Sequence, residues 1–300
     1  MTTPDPLRLD GRTAIVTGAG QGLGRAEALA FAAAGAKVVV NDVRGGAAPV
    51  VAEIEALGGQ AVGHDGDVSD WSVAERLVDT AVEAFGGLDI LVNNAGILRD
   101  RMIFNISEEE WDSVLGVHLK GHAAMTRFAT AHWRDQSKAA GGEVYARIIN
   151  TSSEAFLFGS GGQPNYAAAK AGITALTVAT AKSCGRYGVR ANAICPRART
   201  QMTAHVFGEA PAGEADPLGP EHVAPLVTYL ASPAAAGISG QVFVAYGPMV
   251  ALASAPAVEK RFDASGPAWT AADLDGALGS YFSGRDPALS FSADSFMTLS

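Results

Sequence analysis

Seven short runs rich in β-branched residues recur along the chain: RTAIVTG (12–18), AKVVVND (36–42), QAVGHDGDV (60–68), LDILVNNAG (88–96), ARIINTSS (146–153), VRANAICP (189–196) and GQVFVAYG (240–247). Between them lie amphipathic segments of helical period, such as SVAERLVDTAVEAFG (72–86). Strands joined by helix-length connections pair in parallel, so the pattern predicts an α/β fold, a doubly wound parallel sheet of about seven strands with helices on both faces. No solenoid-type repeat interrupts it. One catalytic domain, residues 1–250, is expected to carry the function, followed by an extension, 251–300, whose weak periodicity and many Ala, Ser and Gly assign it no role. Residues 197–219 follow the sixth run and are rich in Ala, Gly and Pro. Sheets of this class bind ligands at the carboxyl ends of their strands, so this segment is either a substrate lid or an ordinary surface loop.

Composition narrows the class. Of 300 residues, 48% are hydrophobic and 18% charged, as in a soluble globular chain. A formal charge of -9 and a pI of about 5.1 argue against broad contact with nucleic acid or an anionic membrane, so any bound phosphate is held locally. The two cysteines, Cys184 and Cys195, lack the Cys and His spacing of a zinc site and predict a reduced, cytoplasmic protein. The opening residues lack a signal-peptide core, no apolar run reaches membrane-spanning length, and the ending FMTLS is not a peroxisomal address.

The candidate chemistry sits at the ends of the predicted strands. In TGAGQGLG (17–24), Gly18, Gly22 and Gly24 let the backbone turn tightly and approach a pyrophosphate at a helix N-terminus; a plain strand-to-helix turn has the same look. Asp42 ends the second strand, where a carboxylate would accept from an adenosine ribose and repel the extra phosphate of NADP; Arg44 pulls the other way, and a capping role for Asp42 stays open. Asp67 is placed to accept from an adenine amino group. Asn93 and Asn94, in NNAG, offer amides that tie adjacent loops together. In QPNYAAAKAG (163–172), Tyr166 and Lys170 are four positions apart and share a helix face, where a cation would favour phenolate; a solvated surface pair is the alternative.

Together, TGAGQGLG, NNAG, Ser153 in NTSSEAF, and Tyr166 with Lys170 in YAAAK resemble the short-chain dehydrogenase/reductase family, in its order and over about residues 10–250. The resemblance implies a Rossmann-type fold and direct hydride transfer between an NAD or NADP cofactor and a secondary alcohol or ketone. It makes Tyr166 the proton donor and acceptor. Lys170 lowers the tyrosine's pKa and binds the nicotinamide ribose. Ser153, rather than Ser152, holds the substrate oxygen. Cofactor contacts are implied for Leu23, Asp67, Val68, Asn94, Ala95, Gly96 and Thr200. It also implies a homotetramer, with the Tyr166 helix and the preceding long helix at an interface.

Two departures stand out. His118, in GVHLKG, replaces the asparagine whose main-chain carbonyl holds a water linked to the lysine, a relay that survives a change of side chain. His118 and His122 are also spaced to share a metal, although no third ligand is evident. In CPRAR, Arg197 and Arg199 stand where the family has Pro-Gly, either to attract anionic substrates or as surface charges. NNAGILRDRM, GVHLKG, GQPNYAAAKAG and PEHVAPLV look closest to the (3R)-hydroxyacyl-CoA dehydrogenase unit of the peroxisomal multifunctional β-oxidation enzyme, which shares that histidine. The expected substrate is therefore a 3-hydroxyacyl or 3-oxoacyl thioester. A free steroid, terpenoid or other apolar alcohol is the alternative, and a non-catalytic dinucleotide-binding regulator is the reading from another class.

Overall fold

The computed structural model describes residues 5–43, 45–203, 207, 208, 210 and 216–286. Arg44, part of the 197–219 segment and the end of the 251–300 extension lie outside the described residues. Along the chain come β1 (Thr13–Thr17), α1 (Gly22–Ala33), β2 (Lys37–Asp42), α2 (Ala47–Ala56), β3 (Gln60–Asp65), α3 (Trp71–Phe85) and β4 (Ile90–Asn93). Then follow α4 (Glu108–Leu115), α5 (Gly121–Ala140), β5 (Ala146–Thr151), α6 (Ala155–Phe158), α7 (Pro164–Cys184), β6 (Val189–Pro196), α8 (Ala224–Ala231), β7 (Val242–Tyr246) and β8 (Met249–Leu252).

The strands form one sheet in the order β3-β2-β1-β4-β5-β6-β7-β8. The first seven pair in parallel, and β8 runs antiparallel to β7, with Tyr246 opposite Met249. The expected sheet of about seven strands is thus one strand short. Gly247, at φ 49°, makes the tight hairpin turn that returns MVAL to the sheet edge. That strand ends at Leu252, so the sheet crosses the expected boundary at 250.

Alternating side chains of each strand enter opposite layers. Ala14, Val16, Val38 and Val40 join Phe31, Val50, Ile54, Val227 and Leu230 on one face. Ile15, Val39 and Leu91 join Leu77, Val78, Met125, Ala129 and Trp133 on the other. Burial on both faces explains why the strand sequences read as continuous apolar runs. Helix ends follow local chemistry: Asp70 accepts from the Ser72 N–H at 2.9 Å to start α3, and Gly86 at φ 87° ends it. Ser107 and Glu110 form a reciprocal capping box at α4. A π-helical turn, Gly116–Lys120, joins α4 to α5 and presents His118 to the interior.

Candidate active site

The carboxyl ends of β1, β2, β4, β5 and β6 open into one cavity of about 1280 Å³. Its wall includes Gly18, Gly22, Leu23, Asp42, Asp67, Val68, Asn94, Ala95, Gly96, His118, Ser153, Tyr166, Lys170, Arg197 and Thr200, which the sequence singled out. Gly24 lies beneath the lining and Arg199 outside it. From the 197–219 segment, Arg197, Ala198, Thr200, Gln201, Met202, Thr203 and Phe207 close one side.

The glycine loop is threaded too tightly for side chains. A Cβ on Gly18 would lie 2.7 Å from Ala95 Cα, and one on Gly24 would lie 2.3 Å from the Gly18 carbonyl oxygen. Gly22, at φ 56°, faces Thr200 and opens α1, whose free N–H groups favour an anion. Asn94 fixes the loop from below: its amide donates to the Thr17 and Gly18 carbonyls, each at 3.1 Å, and its main-chain N–H meets Thr17 Oγ1 at 3.0 Å. Asn93 points the other way, donating to Asn150 Oδ1 at 2.9 Å, and Asn150 in turn donates to Thr177 Oγ1 at 2.8 Å. At the far end the Asp42 carboxylate receives the N–H groups of Gly20 and Val43, each at 2.7 Å, which hold it at the rim. Asp67 accepts the Ser69 N–H at 2.8 Å. Such a bare-backbone cradle with a carboxylate beyond it fits a dinucleotide lying across the strand ends.

At the other end stand Ser153, Tyr166 and Lys170. Ser152 is buried and committed, with its hydroxyl 3.0 Å from the Lys170 carbonyl and 2.8 Å from Thr174 Oγ1. Ser153 instead faces the cavity beside Tyr166. Lys170 Nζ donates to the Thr151 carbonyl at 2.5 Å and lies 5.3 Å from the Tyr166 ring centroid. Burial lowers Lys170 to about 7. Burial also pushes the Tyr166 phenol up to about 12, against the opposite pull of the neighbouring Ser153 hydroxyl. Desolvation of the phenolate thus outweighs the lowering pull on Tyr166.

His118 is buried edge-on to Tyr166, with ring centroids 5.3 Å apart and planes at 89°. Its Nε2 lies 2.8 Å from the Ile97 carbonyl oxygen and 3.0 Å from the Ile97 nitrogen, while its Nδ1 has no partner. Burial first, then the Lys170 charge, lower its pKa to about 3, so the ring is neutral. The His122 ring is buried as well, and its Nε2 has no hydrogen-bond partner. The His118 imidazole thus addresses main chain. Among the described residues no group of three or more His, Cys, Asp or Glu side chains could hold a metal.

The two arginines differ from expectation. Arg197 grips Glu154 through Nε at 2.5 Å and Nη2 at 2.6 Å, and Arg199 pairs with Asp216 at 2.7 Å. Neither offers a free cation to an anionic substrate, because each charge is already matched. Glu154 lines the cavity beside Ser153 and was missed from the sequence. Its neighbour in NTSSEAF was the available signal. No helix among the described residues is long and apolar enough to cross a membrane.

A family model described as short chain dehydrogenase matches residues 12–210. The chain is 57% identical over 305 residues to the hydroxyacyl-CoA dehydrogenase ChsB1 of Mycobacterium tuberculosis, covering 98% of this chain and 96% of that protein. It is 45% identical over 235 residues to the peroxisomal multifunctional enzyme type 2 of Mus musculus, covering 75% of this chain but only 30% of that protein's length. A crystal structure of a short chain dehydrogenase from Mycobacterium avium superposes with a TM-score of 0.84 at 49% identity, covering 95% of this chain and 99% of that one. The glycine loop, the Asn94 tether and the Ser153, Tyr166 and Lys170 cluster thus occur in a chain matched along its catalytic length, and that chain is an oxidoreductase that belongs to the short-chain dehydrogenase family.

Proposed function

We propose that this protein is an NAD-dependent dehydrogenase interconverting a 3-hydroxyacyl and a 3-oxoacyl thioester. The observation that carries the reading is the convergence of Ser153, Tyr166 and Lys170 at one end of a cavity whose other end holds Asp42. The relatives named above favour a thioester, and the Asp42 carboxylate at the rim favours NAD over NADP by repulsion of a 2′-phosphate.

The bound dinucleotide supplies the hydride acceptor. The protein's own groups do the rest. The Ser153 hydroxyl holds the substrate oxygen where charge develops, and the Tyr166 hydroxyl exchanges the proton with that oxygen. Lys170, anchored on the Thr151 carbonyl, places its positive charge beside the phenol and holds the cofactor ribose. Glycines Gly18, Gly22 and Gly24 admit the pyrophosphate, with Leu23, Val68, Ala95, Gly96 and Thr200 walling the rest. A homotetramer and a cytoplasmic setting belong to the same proposal.

One observation favours a second reading, a free apolar alcohol: Arg197 and Arg199 are both ion-paired and leave that wall without a free cation from either. Absorbance at the NADH band, with NAD or NADP and a panel of (3R)-hydroxyacyl-CoA thioesters against apolar alcohols, separates the two. Thioester turnover that Tyr166→Phe lowers by about 10²- to 10⁴-fold is the expected result. Turnover with free alcohols alone would establish the second reading, and NADH binding without turnover of any substrate would indicate a regulator.

A further inference from the structure

We propose that the Glu154–Arg197 ion pair is a strut that holds Ser153 against Tyr166, so that both charged residues are positioning residues for the proton-transfer site. The inference rests on the catalytic reading of Ser153 and Tyr166 given above.

Strand pairing between β5 and β6 ends at Thr151 opposite Ile194, and the last ladder bond beyond it joins the Ser152 N–H to the Ile194 carbonyl at 2.7 Å. Ser153 is the first residue past that ladder. Its local restraints are contacts within its own turn: its hydroxyl accepts from the Ala155 N–H at 3.3 Å and its carbonyl from the Phe156 N–H at 3.0 Å. The turn leads into α6, which packs against α7, where Tyr166 sits, so that side of it is held by packing.

Glu154 adds a polar restraint toward the sheet. Both of its carboxylate oxygens meet the Arg197 guanidinium, at 2.5 and 2.6 Å, the planar two-point geometry that fixes direction as well as distance. Arg197 is itself anchored twice: its main-chain N–H donates to the Ala245 carbonyl of β7 at 3.0 Å, and its guanidinium lies 4.9 Å from the Tyr246 ring centroid. Side-chain exposures of 21% for Arg197 and 16% for Glu154 leave the pair poorly screened, unlike a solvated surface bridge. The path from Ser153 through Glu154 and Arg197 to β7 therefore bolts the serine turn to the rigid sheet, across the end of the cavity.

The test compares Glu154→Gln, Arg197→Gln and the charge-swapped double variant Glu154→Arg/Arg197→Glu, with Tyr166→Phe as the chemical control. Arg12→Gln breaks an ion pair to Asp89 at the amino-terminal ends of the central strands β1 and β4, away from the cavity, and serves as the structural control. Each single variant is expected to lower kcat by about ten- to a hundredfold through misplacement of Ser153, with NADH affinity by fluorescence titration changed by less than about twofold. The swapped variant should recover most of the loss, and Arg12→Gln should change the melting temperature without changing kcat. If a single variant fails to fold, Arg197→Lys, which keeps the charge but loses the two-point fork, should show the same selective loss.

Unchanged kcat in the single variants, alongside a dead Tyr166→Phe, would overturn the strut. So would a raised substrate KM confined to the Arg197 variant, since that marks a direct substrate contact. An active Tyr166→Phe would instead bring down the catalytic reading on which the strut rests.

Discussion

Glu27 is fully buried on α1, and neither of its carboxylate oxygens has a hydrogen-bond partner. Burial raises its pKa from 4.5 to about 8. In the folded protein at pH 7 the group is a neutral acid, whereas in the unfolded chain it is ionised. Unfolding therefore releases a proton, and stability falls as pH rises between about 4.5 and 8, being level on either side of that window. At about 1.4 kcal/mol per unit of pKa difference, the loss relative to acid pH is roughly 3 kcal/mol at pH 7 and roughly 5 kcal/mol above pH 8.

Glu27→Gln keeps the shape and removes the titration. Urea unfolding at fixed protein concentration, at half-unit steps from pH 5 to 8.5, gives the difference in stability between this variant and the parent protein. His118, depressed to about 3, contributes the opposite slope below about 6.5, where the unfolded imidazole binds a proton. Lys170, lowered to about 7, adds a rise with pH above that value. Both are common to the two proteins and cancel in the difference. The variant should gain on the parent by roughly 3 kcal/mol between pH 5 and 8. A difference that stays constant over this range would refute the argument that Glu27 is buried and uncompensated.

Three further outcomes are expected. Gly24→Ala should abolish NADH binding, read by fluorescence titration, because its methyl would overlap the Gly18 carbonyl and the Asn94 amide. In Asp42→Ala the ratio of kcat/KM for NADP to that for NAD should rise by about tenfold, equivalent to ~1.4 kcal/mol, through removal of the repelling carboxylate. Trp133→Phe removes the indole N–H that donates to the buried Leu88 carbonyl at 2.6 Å, and should lower stability in urea by about 1–3 kcal/mol.

What was legible in the sequence was local. Tyr166 and Lys170 lie one helical turn apart, and Gly18, Gly22 and Gly24 lie within seven residues, so spacing puts each set together locally, and the family resemblance made each a site. Asp42 was readable because β2 leads straight into it. What depends on distant pairing was not legible. Arg197 meets Glu154 across 43 positions of sequence, and only the adjacency of β5 and β6 brings them together. The same holds for Arg199 and Asp216, whose partnership turned two apparent anion sites into matched pairs. Glu27 reads in sequence as one more polar residue of an amphipathic helix, since composition cannot say which side of α1 packs inward. The last strand, β8, was missed because four residues, MVAL, carry too little pattern to stand out from the tail.

The strand order also sets a timetable for the chain as it is synthesised. β1, β2 and β3 can pair as soon as residues 13–65 are available, but the other edge of β1 waits for β4, whose first residue is Ile90. Until then the nascent protein exposes an unpaired apolar strand at what will become the middle of its sheet, the kind of edge on which chains associate wrongly. Asn94, the clamp of the glycine loop, arrives with β4, and Ser153, Tyr166 and Lys170 only with β5 and α7. A truncated product ending before β4 would therefore have neither a closed edge nor any of the groups assigned to the substrate, and cellular quality control would meet it as a sticky fragment rather than as a weakened enzyme.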